Sequence, residues 1–153
     1  MFVVRGLEPR SFDPLFSLSD AALAQRGARR VVAESGDAYP CRVSLRRVEE
    51  GTELILLNYA HLPAPASPYR ASGPIFVSRS PQAAYEGEIP PLLRDRLVAL
   101  KAYDADAFIV DAEIAEGDRI RERVERWLSD PAVEHVDAHF ARRGCFAARI
   151  ERV

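Results

Sequence analysis

The clearest pattern in the chain runs from Glu53 to His61, where apolar side chains occupy both parities of an extended segment. Leu54 and Leu56 point to one side, and Ile55, Leu57 and Tyr59 to the other. A strand apolar on both faces belongs in the middle of a sheet. Residues 133–141 alternate instead. Val136, Ala138 and Phe140 fall on one face, and His135, Asp137 and His139 on the other. This predicts a strand over Val133 to Ala141, with Cys145 to Val153 as its partner across Arg142-Arg143-Gly144. From Asp118 the period becomes helical. Ile120, Val124, Trp127 and Leu128 form one stripe, charged residues cover the rest, and Asp130-Pro131 ends it.

Weaker signals complete the outline. Phe2 to Val4 reads as a short strand. Ser19 is placed to cap a helix over Asp20 to Arg26, with Gly27 as its left-handed stop. Arg29 to Ala33 reads as a strand, and residues 40–44 as the approach to a helical turn ending at Gly51. Residues 62–74 read as a loop rich in Pro, Ala and Ser that feeds a strand at Ile75 to Val77. Pro90-Pro91 predicts a helix to about Leu97. Leu100 to Tyr103 and Phe108 to Ile114 read as a hairpin through Asp104-Ala105-Asp106. Strands outnumber helices and follow one another directly. The expected fold is therefore one α+β domain over residues 1–153, mainly an antiparallel β-sheet with about three flanking helices.

Composition narrows the function classes. The 153 residues suit one domain, and 48% hydrophobic with 29% charged residues is a globular mixture. No apolar run is long enough for a membrane span, and the first residues lack a signal-peptide pattern, so a cytoplasmic location is expected. Net charge is −2 and aromatic residues are 8%, so neither nucleic acid nor a membrane is an expected partner. Lys101 is the sole lysine among the 21 basic residues. Arginine grips phosphate and carboxylate with a planar fork, although codon bias also enriches it.

The candidate chemistry is scattered. His135, Asp137 and His139 are metal-ligand types, but neighbours on that face lie about 6.7 Å apart and the two histidines about 13 Å, too far to share one ion. No metal ligands and no cofactor are assigned on that basis. Cys145, with His139 nearby and Arg142 and Arg143 before it, is a candidate nucleophile, and His61 and His139 are candidate acid–base groups. Arg42, Asn58, Tyr69, Arg70, Ser72 and Arg142 are candidate ligand contacts, with the 67–74 loop suited to a phosphate or carboxylate. No serine-hydrolase elbow, P-loop or zinc-protease helix is present.

Several segments together resemble a known family. They are Pro40-Cys41-Arg42-Val43-Ser44-Leu45, Leu56-Leu57-Asn58-Tyr59 with His61, Tyr69-Arg70-Ala71-Ser72-Gly73-Pro74-Ile75-Phe76-Val77, Leu100-Lys101-Ala102-Tyr103-Asp104, and His139 to Cys145. In this order they resemble the bacterial family of domain of unknown function 1203. Phe140 and Asp137 depart from its pattern, in which His-Asn-Ala-Arg precedes Gly-Cys. The resemblance implies a small bacterial cytosolic protein and no particular activity. The expectation is a binder of, or enzyme acting on, a small anionic molecule in a cleft lined by Arg, His, Tyr and Cys. A protein-interaction module, a thiol redox sensor using Cys41 and Cys145, and a homodimer stay open as alternatives.

Overall fold

The computed structural model describes residues 1–35 and 39–153. Among these, eleven strands form two sheets. The six-stranded sheet contains β1 (Phe2–Arg5), β7 (Ala84–Glu86), β8 (Val98–Tyr103), β9 (Ile109–Ala115), β10 (His135–Phe140) and β11 (Phe146–Arg152), in the order β7-β1-β11-β10-β8-β9. The five-stranded sheet contains β2 (Arg29–Val32), β3 (Pro40–Cys41), β4 (Arg46–Arg47), β5 (Glu53–Leu62) and β6 (Ala71–Ser78), in the order β2-β5-β6-β3-β4. Neighbours are antiparallel except β3 with β6. Four short helices complete the fold: α1 (Asp13–Phe16), α2 (Asp20–Gln25), α3 (Pro91–Arg94) and α4 (Asp118–Leu128). The α+β class and the antiparallel preference are as expected; the strands divide into two sheets where one was expected.

The helical stripe on α4 does what its period implies. Ile120, Val124, Trp127 and Leu128 are buried against Val136 and Ala138 of β10, Leu100 of β8 and Ile150 of β11. This is the larger of two main cores. The second joins Leu23 of α2, Phe12 and Phe16 to Ile55, Ile75 and Val77 of the five-stranded sheet, and Phe146 of β11 also enters it. Ser19 caps α2 by accepting from the Ala22 amide, and Gly27 follows with a φ of 68°.

Three local expectations are corrected. Residues 40–47 fold back as β3 and β4 around a turn, because Leu45 enters the left-handed region (φ 52°) and helical continuation stops there. Residues 71–74, read as loop, already belong to β6, since Gly73 and Pro74 pair with Tyr59 and Asn58 of β5. The helix from Pro91 ends at Arg94, and Val98 is drawn into β8 by pairing with Phe140 and Ala115. Strand β5 is central, as its pattern implies, but Asn58 and Ala60 on one of its faces reach solvent. Among the described residues, no helix is long and apolar enough to cross a membrane.

Candidate functional site

Every residue of β10 is buried, so the polar face that alternation places at His135, Asp137 and His139 is an interior surface. The six-stranded sheet presents it toward the five-stranded sheet, where His61 of β5 meets it. The His61 ring stacks on Phe146, with centroids 5.0 Å apart, and stands edge-on to His139, also at 5.0 Å. All three histidines of the chain thus gather around one carboxylate, Asp137, which has no solvent exposure.

Strand register builds the rest of the site. Asp137 has Arg149 of β11 as one cross-strand neighbour and Lys101 of β8 as the other. Side chains directly opposite in neighbouring strands share a face, so Arg149, Asp137 and Lys101 form a row across three strands. Arg149 takes Asp137 with a two-point grip, Nε to Oδ1 at 2.8 Å and Nη2 to Oδ2 at 3.0 Å. Its Nη2 also donates to the His61 carbonyl at 2.8 Å, tying the two sheets together. His135 has Tyr103 opposite it, and their rings stack at 5.2 Å.

The protonation states follow from these contacts. Burial by itself pushes the Asp137 carboxyl up, but the facing His61 ring and the Arg149 guanidinium outweigh burial and hold it below the usual range. At 3.9 Å from Oδ2, His61 Nδ1 is an electrostatic neighbour and too distant for a hydrogen bond. Burial pushes His139 down to about 4, so its ring is neutral at neutral pH. His139 Nδ1 lies 3.0 Å from the Gly144 carbonyl oxygen, which can only accept. Nδ1 therefore carries the proton, and Nε2 presents a bare lone pair. Burial likewise lowers His135 and raises Tyr103 to about 12.

Among the described residues, three buried ring nitrogens have no hydrogen-bond partner: His61 Nδ1, His135 Nε2 and His139 Nε2. Each buried polar atom left unsatisfied costs about 1–3 kcal/mol. Donor atoms of His61, Asp137 and His139 all lie within 4.8 Å of one another. Two ligands on one zinc-sized ion sit roughly 3–4 Å apart, so rotamer adjustments of about 1 Å would bring the three onto a common centre. His135 is outside this set, as its spacing along the strand from His139 requires. His61, reached only by packing one sheet on the other, takes its place.

The other sequence candidates lie elsewhere. Arg42 is buried and directed inward, donating to the Phe146 and Pro40 carbonyls while its guanidinium covers the Phe140 ring. Burial pushes it down to about 10, which leaves it charged at neutral pH. Arg70 and Ser72 share an open surface depression of about 400 Å³ with residues 60 and 62–65. Neither His139 nor Cys145 lines it, so the 67–74 and 141–145 segments do not share this cleft. Arg70 donates to the Pro65 carbonyl, and exposed Tyr69 packs edge-on to Phe108. Asn58 and Arg142 are exposed. Cys145 is a half-buried free thiol in the turn before β11, and Cys41 is free and fully buried, 3.1 Å from Ser78 Oγ. Of the nine candidates, His61 and His139 meet in the cluster, and Arg70 and Ser72 meet in the depression. Asp137, Arg149 and Lys101 were not among the candidates. The usable signal was an Asp between two His at strand period, but its partners are set by register with distant strands.

No curated protein and no solved structure matches the chain. The family described as protein of unknown function, DUF1203, matches residues 38–152, and the chain belongs to it.

Proposed function

We propose that the protein holds a divalent transition-metal ion between its two sheets, through His61, Asp137 and His139. The observation that carries this is the coincidence of three donor atoms within 4.8 Å with two unpartnered buried ring nitrogens, on His61 and His139. Two imidazoles and one carboxylate suit zinc or ferrous iron. Three protein ligands leave coordination positions open, the arrangement of catalytic centres and not of closed structural ones. The Gly144 carbonyl fixes the His139 tautomer, as hydrogen bonds to ligating histidines do. Burial also favours an ion over a large organic molecule here, since the three side chains are at most 7% exposed. The reading carries with it a cytoplasmic location, where Cys41 and Cys145 would remain thiols.

The test is metal analysis of the purified protein, followed by zinc and cobalt titration of the chelator-treated protein. One equivalent should bind, and His61→Ala and His139→Ala should each weaken binding by about 10- to 100-fold or more while His135→Ala leaves it within a few-fold. Equal affinity in wild type and both ligand variants would sink the reading.

A further inference from the structure

Lys101 and Arg149 flank Asp137 on the same interior face, one on each neighbouring strand. Arg149 already matches the Asp137 charge through its two-point contact. No hydrogen bond or ion pair among the described residues engages the Lys101 ammonium, which lies close enough to act electrostatically on His139. Glu151, opposite His135 on the same face, acts electrostatically on His135 and Arg149, but it is exposed and outside the donor atoms that meet, so a dication placed there has no further carboxylate among its ligands. Buried charge needs a counter-charge, and an anion from outside is the remaining source.

The exposure pattern agrees. Asp137, His61 and His139 are closed off, while the Arg149 side chain is 30% exposed and Lys101 is half-buried. The members of the row that reach toward solvent are both cations, which attract anions, and the exposed Glu151 beside Arg149 offsets part of that charge. Phe146 and Tyr103 stack on His61 and His135 and place apolar rings beside the cluster.

We infer that the open coordination positions of the ion take a small oxyanion, a carboxylate or a phosphate, drawn in and held by Lys101 and Arg149. This rests on the metal reading above. It keeps the anionic ligand expected from the sequence but moves it from Arg42, Arg70 and Arg142 to the cations beside Asp137.

The experiment uses the full chain loaded with Co(II), whose visible absorption reports its ligands. Acetate and inorganic phosphate are titrated separately at constant ionic strength, with chloride as the control. A saturable spectral change with acetate or phosphate, absent with chloride, supports the inference, and the anion that responds identifies the class. Lys101→Met should bind Co(II) and melt like wild type but take the anion about tenfold more weakly. Co(II) binding with no response to either anion overturns this inference alone, as does an unchanged anion affinity in Lys101→Met. Failure of the wild type to bind Co(II) overturns the metal reading and this inference together.

Discussion

Asp137 sits where opposing demands meet. It has no exposure, so its charge is stable only while something answers it, and Arg149 does so at 2.8 and 3.0 Å. Breaking one side of such a pair costs more than the pair contributes, because the remaining partner loses its counter-charge. Asp137→Asn should therefore lower unfolding stability by about 3 kcal/mol, read as a drop in the urea midpoint at unchanged slope. The double variant Asp137→Leu with Arg149→Met should recover most of that loss, since an apolar pair of similar volume needs no answering charge. It should also bind no metal. A double variant that stays about 3 kcal/mol or more below wild type would show that the pair is a net stabiliser and not a functional retention.

Elements show where sequence reading reached and where it stopped. The alternation on β10 and the stripe on α4 are local periodicities, and both faces are used as the periods imply. Nothing local told that the polar face of β10 turns inward, because that depends on a second sheet closing over it. The approach of His61 to Asp137 joins residues 76 positions apart in sequence, and the Arg149–Asp137–Lys101 row depends on pairing among β8, β10 and β11. The turn after β3 was misread for a related reason: Leu45 is fully buried, and tertiary packing holds it at positive φ against its local preference. One close approach sets a sharp test at this level. A Cβ on Gly6 would lie 1.8 Å from the Val43 carbonyl oxygen, whereas one on Gly27 meets nothing within 4 Å. Gly6→Ala should destabilise by more than about 2 kcal/mol through backbone displacement. Gly27→Ala should cost about 1 kcal/mol through its left-handed φ alone. Thermal melts of the two variants check the order, and equal losses would contradict it.

A polar layer joins the two sheets beside the apolar contacts of Phe146 and Leu62, so its titration should appear in global stability. Burial and the Asp137 charge raise Tyr103 to about 12, against an ordinary value of about 10. The folded state then keeps a proton that the unfolded chain releases. Stability from this source is complete below about pH 10 and is lost as pH rises toward 12. Tyr103→Phe should remove that alkaline loss, which urea unfolding at pH 8 and pH 11 would reveal. A metal ion acts on the same layer with the opposite sign. His61 comes from the five-stranded sheet, and Asp137 and His139 come from the six-stranded one, so a shared ion is a crosslink that exists only when both sheets are folded and packed. Ligand that binds only the folded state stabilises by mass action, about 2.7 kcal/mol at a hundred times its dissociation constant. For a chain of this length that corresponds to a Tm increase of roughly 5–10 °C. Zinc or cobalt should produce this shift in wild type and in His135→Ala, and should lose it in His139→Ala. Cys41 and Cys145 in the unfolded chain also have some affinity for zinc, which reduces the shift; cobalt, with its lower thiolate preference, gives the cleaner comparison. An equal shift in His139→Ala would place the ion elsewhere, and with it the function proposed for the space between the sheets.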